Sequence, residues 1–232
     1  MSFLKIESLE FKYSKGPTIL SIPHLTLEEG QGLFLYGPSG HGKSTLLNLI
    51  AGVLAPTSGE ITIGETLLHK LTAGKKDQWR GDNLGYVFQQ FNLIPYLSIF
   101  ENIMLPCQFS NKRKAQSSEK EIHELIERMN LSSFIHKQVK DLSIGQQQRV
   151  ALCRALVGKP KLLLADEPTS ALDEKNTNEL MNLLKEERAK NQLTTIFVSH
   201  DLRLKPFFDS HQSLVDLNLV KFVGSASEVA SV

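Results

Sequence analysis

Residues 37–44 read GPSGHGKS, a spacing of glycines, lysine and hydroxyl that is typical of loops binding nucleotide phosphates. Glycines let backbone N–H groups turn inward around the phosphates, and a helix that starts here directs its positive end at them. Lys43 can then reach the β- and γ-phosphates, and the Ser44 hydroxyl can bind Mg²⁺. His41 occupies a variable position of the pattern and is interpreted as a spectator, not a catalytic base. The residues predicted to surround the phosphates are Gly37, Pro38, Ser39, Gly40, His41, Gly42, Lys43, Ser44 and Thr45.

A second pattern, in residues 161–167, is an apolar strand that ends in two carboxylates, Asp166 and Glu167. Asp166 at the strand end suits the Mg²⁺ side of a phosphate site, and Glu167 suits a general base for an attacking water. An acidic pair at a strand end is often only a solvated terminus, but the phosphate loop upstream favours the chemical interpretation. The two patterns together occur in many nucleotide enzymes, including kinases and GTPases, and leave the class of enzyme open.

A third pattern separates these classes, because Leu142-Ser143-Ile144-Gly145-Gln146 lies twenty residues before Asp166. It resembles the signature of ABC ATPases, which usually reads LSGGQ. The sequence departs from that pattern at position 144, where glycine is common. A β-branched side chain does not readily take positive φ, so we expect ordinary backbone angles at Ile144.

Four further elements follow the order of the ABC ATPase family. Tyr13 resembles the aromatic residue that stacks on adenine, and Gln89 resembles the glutamine of the Q-loop. Residues 170–173 resemble the D-loop, and His200 resembles the switch histidine. Taken singly, these residues are ordinary strand, strand-end or capping residues; their order and spacing favour the family.

The resemblance implies specific roles, with ATP and Mg²⁺ as the bound cofactors. The implied catalytic residues are Glu167, His200, Gln89 and Lys43. The implied Mg²⁺ ligands are Ser44, Gln89 and Asp166. In the family two chains pair head to tail as a homodimer when ATP binds, so one chain closes over the nucleotide of the other. The residues implied in nucleotide contact away from the phosphate loop are Tyr13, Ser143, Gly145, Gln146 and Asp173, of which Asp173 would help join the two sites.

The elements that must position these residues alternate between strands and helices, which predicts an α/β core with a mostly parallel sheet. Strands are predicted over residues 3–13, 19–27, 33–36, 60–64, 84–88, 161–165 and 194–198. Helices are predicted over residues 44–52, 121–131 and 174–190. The basic run at residues 111–114 is interpreted as a solvated turn, and residues 204–221 receive no layout.

The resemblance implies a RecA-like P-loop NTPase core with an N-terminal antiparallel β part and an inserted α-helical subdomain. The chain is predicted to be a single ABC ATPase domain over residues 1–232. Within it, residues 1–90 and 156–232 form the nucleotide-binding core lobe, and residues 91–155 form the helical signature subdomain.

Composition narrows the function classes. The chain has 26 Lys and Arg against 25 Asp and Glu, a net charge of +1 that draws it neither to nucleic acid nor to anionic lipid. Cys107 and Cys153 are too few for a disulfide framework. The N-terminal residues show no signal-peptide pattern, and the longest apolar stretch, residues 46–55, falls short of the ~20 residues that span a bilayer. We predict a cytoplasmic protein without a nucleic-acid partner.

Residues 88–95, followed by Glu101-Asn102-Ile103, resemble the ATPases of macrolide-exporter and lipoprotein-release systems, although importer subunits are similar too. The resemblance implies an ATP-hydrolysing subunit that energises a separate membrane permease and is held by it at the inner face of the membrane. The alternative is a regulatory ABC ATPase that drives a membrane partner without solute transport. A soluble ABC protein acting on DNA or ribosomes is disfavoured, because such proteins need a long coiled coil or two fused cassettes.

Overall fold

The computed structural model describes residues 2–14 and 16–221, which form two sheets and a group of helices. The strands are β1 (Ser2–Lys12), β2 (Thr18–Glu28), β3 (Gly32–Tyr36), β4 (Ser58–Ile63), β5 (Thr66–Leu67), β6 (Leu84–Val87), β7 (Leu162–Asp166), β8 (Thr194–Val198) and β9 (Ser210–Ser213). The α-helices are α1 (Lys43–Ile50), α2 (Ala73–Asn83), α3 (Ile99–Phe109), α4 (Asn111–Ala115), α5 (Glu119–Arg128), α6 (Ile144–Leu156), α7 (Glu174–Asn191) and α8 (Leu214–Leu217). Short 3₁₀ helices are Leu68–Lys70, Ser132–Phe134, Val139–Asp141 and Leu202–Phe207.

The larger sheet is parallel and has the strand order β6-β7-β8-β3-β9. Its inner strands β3, β7 and β8 are almost wholly apolar and buried, as expected of a parallel sheet covered on both faces. Because the strands are parallel, β3, β6, β7 and β8 all end at one edge. The phosphate loop, Gln89, Glu167 and His200 follow these four strands, so the topology alone brings them to the same edge.

The smaller sheet is antiparallel with the order β2-β1-β4-β5 and covers one face of the parallel sheet. Alternate residues of β7 serve the two faces. Leu162 and Leu164 join the apolar cluster shared with α1 and the antiparallel sheet, whereas Leu163 and Ala165 join the cluster shared with α3, α5, α6 and α7. The second cluster contains residues from both predicted lobes, so the boundaries between core lobe and helical subdomain stay a prediction.

The predicted architecture, an α/β core with a mostly parallel sheet, an antiparallel part and inserted helices, is confirmed. The solvated turn predicted for residues 111–114 is wrong. Those residues form α4, and Arg113 within it is buried, with a relative exposure of 1%. Its guanidinium donates to the carbonyls of Leu84 and Val157, which are acceptors that a local sequence pattern does not reveal.

Residues 204–221, which received no layout from the sequence, contain β9 and α8. β9 reads SHQS and pairs with β3 at the edge of the sheet through backbone hydrogen bonds. Its sequence lacks the apolar alternation that marks a strand, so the sequence did not predict it. Within residues 2–14 and 16–221, no helix combines the length and the apolar character that crossing a bilayer requires.

Candidate active site

The phosphate loop leaves β3 and enters α1 through two glycines in left-handed conformation, Gly40 at φ 79° and Gly42 at φ 90°. At Gly42 an added Cβ would also come within 2.9 Å of the Leu20 side chain. The positive φ is the main reason for glycine there, and it lets the chain turn directly into α1. Since Gly42 is the N-cap of α1, the first free N–H groups of this helix face the loop.

Lys43 begins α1 with its side chain folded under the loop, and the residue is only 8% exposed. Its Nζ donates to the carbonyl oxygens of Gly37 at 2.8 Å and Pro38 at 3.0 Å. The same ammonium lies 3.8 Å from Oε1 of Glu167. The lysine thus holds the loop in shape and supplies positive charge at the floor of the cleft.

This cleft has a volume of about 450 Å³ and opens at the carboxyl edge of the parallel sheet. It is lined by Ile19, Ser39, Gly40, Gly42, Lys43, Ser44, Thr45, Gln89, Asp166, Glu167, Ser170 and His200. The structure therefore brings together most of the residues predicted for phosphate, metal and catalysis. Ile19 and Ser170 also line the cleft without having been predicted to do so. Ile19 carries no polar group that would mark it in the sequence, and Ser170 was assigned only to the D-loop.

Glu167 is held from three sides. Its backbone has φ 48° and its N–H donates to the Val198 carbonyl at 2.9 Å. One carboxylate oxygen faces Lys43, and the other accepts a hydrogen bond from Nδ1 of His200 at 2.9 Å. Because a carboxylate can only accept, the proton of this bond belongs to the imidazole. The arrangement aims a buried carboxylate into the cleft beside the phosphate loop.

Asp166 ends β7, and burial raises its carboxyl pKa above the ordinary value. The Ser44 hydroxyl donates to this carboxylate and, together with the Lys43 charge, offsets part of that effect, while Glu167 adds to it. Hydroxyl, carboxylate and amide oxygens are the hard ligands that Mg²⁺ prefers. Ser44, Asp166 and Gln89 line one cleft, and a partly desolvated carboxylate favours a nearby cation, so this donor set fits Mg²⁺.

Two predicted residues lie at the margin of the cleft. Tyr13 is 49% exposed and packs edge-to-face on Phe11 with ring centroids 4.9 Å apart. Its hydroxyl lies 3.5 Å from Oγ1 of Thr45, the residue after the phosphate loop, so the half-exposed ring lies next to that loop. Nδ1 of His41 lies 3.0 Å from the Ser39 carbonyl oxygen, and its side chain does not line the cleft. The remaining loop residues, Gly37 and Pro38, contribute carbonyls to Lys43 and do not line the cleft either.

The signature residues do not line this cleft but form a second one of about 490 Å³. Its lining residues are Asn130, Ser143, Ile144, Gly145, Gln146, Arg149, Ala171, Leu172, Asp173 and Asn176. Within one chain the structure therefore separates Ser143, Gly145, Gln146 and Asp173 from the phosphate loop. The expected backbone at Ile144 is confirmed, because it begins α6 with ordinary angles, and its side chain is 55% exposed.

Ser143 is the N-cap of α6 and forms a capping box with Gln146. The Ser143 Oγ accepts from the Gln146 N–H at 3.3 Å, and the Gln146 side-chain oxygen accepts from the Ser143 N–H at 3.0 Å. Since Oγ serves here as an acceptor, its own O–H remains available as a donor. The positive end of α6 lies beside it, so a hydroxyl donor and a helix N-terminus occur together at the signature.

Asp173 is tied to the signature helix by two residues that the sequence analysis missed. Its carboxylate accepts from the side-chain amide of Asn176 at 2.9 Å through both oxygens. Arg149 of α6 donates to the Asn176 amide oxygen at 3.5 Å and to Glu179 at 2.6 Å. Asn176 and Glu179 lie three and six residues after Asp173 on α7. That spacing is the only signal in the sequence that could have marked these two residues as members of the hydrogen-bond network around Asp173 and Arg149.

The loop after Gln89 contains a further missed feature. Phe91 and Asn92 are consecutive non-glycine residues with positive φ, at 59° and 48°. Their carbonyl oxygens accept from the two terminal nitrogens of the Arg154 guanidinium, at 2.5 Å and 2.7 Å. Burial of Arg154 lowers its pKa from the ordinary value. Backbone acceptors have no sequence signature, so this contact appears only in the structure.

Comparison with known proteins gives a consistent result. The sequence model of the ABC transporter family matches residues 20–170. The lipoprotein-releasing system ATP-binding protein LolD of Saccharophagus degradans is 39% identical over 195 residues, 83% of this chain and 85% of that protein. The uncharacterized ABC transporter ATP-binding protein MJ0796 of Methanocaldococcus jannaschii is 38% identical over 211 residues, 88% of this chain and 89% of that protein. A dimeric structure of the MJ0796 cassette, in a post-hydrolysis state bound to ADP and Pi, matches with a TM-score of 0.81 at 36% identity and covers 90% of this chain and 93% of that chain.

Proposed function

Because this chain belongs to the ABC transporter family, we propose that it works as a head-to-tail homodimer that energises a separate membrane permease. It is an ATP-binding and ATP-hydrolysing subunit of that family. The geometry of the two clefts supports the arrangement of the dimer, and the similarity to a lipoprotein-releasing ATP-binding protein supports the coupling to a membrane partner.

The observation that carries the head-to-tail arrangement is the separation of the two clefts. The phosphate-loop cleft holds a lysine ammonium and a general-base candidate but none of the signature residues, and the signature cleft presents a helix N-terminus with no phosphate loop beside it. Each cleft is therefore half of a site. Two copies related by a two-fold axis would complete both halves, since an isologous pair brings the signature of each chain to the phosphate loop of the other. A dimer is also the form of the matched MJ0796 structure.

In this proposal Ser44, Asp166 and Gln89 hold Mg²⁺ beside the phosphates. When bound, the ion would supply positive charge that offsets the charge of the phosphates during phosphoryl transfer. Lys43 adds a fixed positive charge, and Tyr13 offers a ring face to adenine. Ser143 and the Gly145 N–H of the opposite chain donate to the γ-phosphate, with Gln146 fixing the Ser143 backbone and Asp173 bordering the same interface.

Glu167 takes the proton of the attacking water in the proposed reaction. Its buried carboxylate faces the cleft, and the His200 imidazole orients it through Nδ1. His200 is an exposed residue, with 69% of its side chain accessible. Because Nδ1 carries the proton donated to Glu167, Nε2 of the neutral ring is an acceptor, and only the doubly protonated imidazolium can donate to a phosphate oxygen at the same time. In this arrangement Glu167 accepts the proton, His200 holds the carboxylate, and Lys43 stabilises the transferred phosphate.

The proposed location is the inner face of the cell membrane, where the permease holds the subunit. Phe88, directly before Gln89, and Tyr96, in the segment after it, are exposed aromatic residues, and aromatic anchors of this kind suit a partner helix. A regulatory ABC ATPase that drives a membrane partner without solute transport is the second candidate. Reconstitution with the membrane protein that co-purifies, followed by an assay for solute movement, separates the two.

The composite site is tested by mixing two inactive variants. Lys43→Ala removes the ammonium of the phosphate loop, and Ser143→Asp replaces the signature hydroxyl with a carboxylate that repels phosphate. Aspartate is a good N-cap, so α6 keeps its start. In a heterodimer one site carries both changes and the other carries neither. With random pairing about half of the dimers are heterodimers, so ATP hydrolysis should recover to about a quarter of the wild-type rate at most.

Each variant alone provides the control, since neither homodimer contains an intact site. Crosslinking verifies that heterodimers have formed, and trapped ATP reports an intact site even when the two sites must act together. Heterodimers that form but show neither ATP occlusion nor hydrolysis would contradict the head-to-tail arrangement.

A further inference from the structure

The Arg154 guanidinium connects the signature helix to the segment that follows Gln89. Its two terminal nitrogens donate to the carbonyl oxygens of Phe91 at 2.5 Å and of Asn92 at 2.7 Å. A guanidinium presents its donors in a rigid planar fork, so two bonds to consecutive carbonyls fix the position and the orientation of that peptide segment together.

This segment needs such a restraint, because two successive non-glycine residues with positive φ are uncommon and cost backbone energy. A backbone bond from the Asn92 N–H to the Gln90 carbonyl at 2.6 Å tightens the turn directly after Gln89. Without the fork of Arg154, the torsions at Phe91 and Asn92 would relax towards ordinary values, and the side chain of Gln89 would move with them.

The far end of the same loop is held separately. Asn102 is fully buried, and its side-chain oxygen accepts from the Ile94 N–H at 2.8 Å while its amide donates to the Ile94 and Ser98 carbonyls. The loop is therefore fixed from residue 94 onward by α3. Between Gln89 and Ile94, the side-chain hydrogen bonds to the backbone that the structure shows come from Arg154.

Arg154 itself projects from a firmly held support. Gly85 of β6 lies so close to α6 that an added Cβ would come within 2.3 Å of the Ala155 carbonyl oxygen. Arg113 donates to the Val157 carbonyl, at the end of the helix. Arg154 lies eleven positions after Ser143, which on an α-helix is about 16 Å. The helix that carries the signature at one end therefore carries the restraint on Gln89 at the other.

We propose that Arg154 is a positioning residue for Gln89: its fork holds the Phe91 and Asn92 carbonyls so that the Gln89 side chain stays in the phosphate-loop cleft. The inference rests on the proposed role of Gln89 as an Mg²⁺ ligand in the active site. Arg154 acts through Gln89 and touches neither nucleotide nor metal. Its loss should therefore slow the chemical step and leave ATP binding by the phosphate loop intact.

A double-mutant cycle on the full-length protein tests this, with steady-state ATP hydrolysis as the assay. Arg154→Met removes both donors and keeps an apolar stem, and Gln89→Ala removes the residue being positioned. Each single variant should lower kcat about 10- to 100-fold, the usual cost of a misplaced group, with the KM for ATP changed less than about twofold. In the Gln89→Ala background, Arg154→Met should lower kcat no further. Arg154→Lys, with a compact ammonium in place of the fork, should give an intermediate kcat.

Arg80→Met is the matched control, because Arg80 also donates to a backbone carbonyl, that of Gly52 at 2.9 Å, but lies on α2 away from the cleft. It should lower the Tm and leave kcat unchanged. If Arg154→Met does not fold, Arg154→Lys takes its place in the cycle. Equal kcat losses for the Arg154 substitution in both backgrounds, or a loss confined to KM, would overturn the proposal. A Gln89→Ala variant with wild-type kcat would instead overturn the role of Gln89 on which the proposal depends.

Discussion

Glu167 combines a constrained backbone with a buried charge. Its φ of 48° places it in the left-handed region, which for a residue other than glycine costs about 1 kcal/mol or more. The Val198 carbonyl holds its N–H, and Lys43 and His200 hold its two carboxylate oxygens. The conformation is thus maintained by three neighbouring contacts, and the result is a carboxylate that cannot turn away from the cleft.

We therefore expect Glu167→Gln to lower kcat for ATP hydrolysis by about 10²–10⁴-fold, because an amide cannot take the proton of the attacking water. ATP affinity should be retained, since Lys43 keeps its bonds to Gly37 and Pro38. Stopped hydrolysis with intact binding should also accumulate an ATP-bound dimer, visible by size-exclusion chromatography. Glu186→Gln makes the same chemical change at an exposed position of α7 and should leave kcat unaltered. A Glu167→Gln variant that turns over at the wild-type rate would show that the base is another group.

The sequence predicted those residues whose side chains carry the chemistry, because glycine, lysine and carboxylate at this fixed spacing are typical of phosphate-binding sites. It did not predict residues that act on backbone atoms. Arg154 and Gln148 illustrate this: both lie on α6, and Gln148, fully buried, donates to the Pro168 carbonyl next to Glu167. Their partners are carbonyls, which every residue possesses, so the type of the partner residue carries no information.

At the scale of secondary structure, three helices of the inserted region begin in the same way. α3, α5 and α6 each start with a capping box, formed by Ser98 with Glu101, Ser118 with Glu121, and Ser143 with Gln146. The box satisfies two N–H groups that the first turn of a helix leaves free. The signature is thus also a helix start, and in α5 the same device carries an additional ion pair.

In α5, Lys159 from the turn after α6 pairs with the Glu121 carboxylate, and this hydrogen bond, with those from Ser118, lowers the Glu121 pKa to about 2. The unfolded chain has the ordinary value of about 4.3, so the folded state favours the charged form. The stabilisation is fully present above about pH 5 and is lost as the pH falls towards 2. Both side chains are nearly half exposed, so we expect Glu121→Gln to cost only about 1 kcal/mol at pH 7.

Urea unfolding followed by circular dichroism at pH 7, 5, 4 and 3 measures this difference. The gap between wild type and Glu121→Gln should narrow as the pH is lowered, because glutamine keeps the capping box and lacks only the charge. Glu101→Gln is the comparison, since the capping bonds with Ser98 also lower the Glu101 pKa but Glu101 has no lysine partner in the described part of the chain, so its gap should change less with pH. A gap that stays constant from pH 7 to pH 3 would mean that the Glu121 charge does not contribute.

At the scale of the whole molecule, Arg113 joins the inserted helices to the parallel sheet. Its guanidinium donates to Leu84, which begins β6, and to Val157, which follows α6. Burial lowers its pKa to about 10, so the side chain remains charged at neutral pH. The Gly158 backbone, at φ 70°, passes so close that an added Cβ would lie 2.6 Å from the Arg113 Cβ. One cation therefore holds the end of the signature helix against the start of the strand that leads to Gln89.

Arg113→Met should lower the free energy of unfolding by about 3 kcal/mol, because buried carbonyls lose their donor to a side chain that cannot replace it. Lys114→Met, at the exposed neighbouring position, should change it by less than about 0.5 kcal/mol. Chemical denaturation of the two variants decides the matter. Equal stabilities would indicate that α4 is attached to the sheet by apolar packing alone.

The overall architecture could be predicted because apolar strands alternate with helices and because the motifs occur in a fixed order. Where the prediction failed, tertiary contacts overruled the local pattern. Residues 111–114 look solvated, yet the carbonyls that converge on Arg113 bury it, and β9 is polar, yet backbone pairing with β3 makes it a strand. Both cases depend on partners more than twenty-five residues away, which no local window contains.

Ser143 has a consequence for how this protein can evolve. The capping box requires only that the side chain at position 143 accept a hydrogen bond from the Gln146 N–H, and aspartate does this about as well as serine. The proposed contact with the nucleotide of the partner subunit requires a hydroxyl proton to donate, which an ionised aspartate lacks. A lineage that exchanged Ser143 for aspartate should keep the start of α6 and the fold. Selection for folding therefore does not act against this change, and only selection for ATP turnover preserves the hydroxyl.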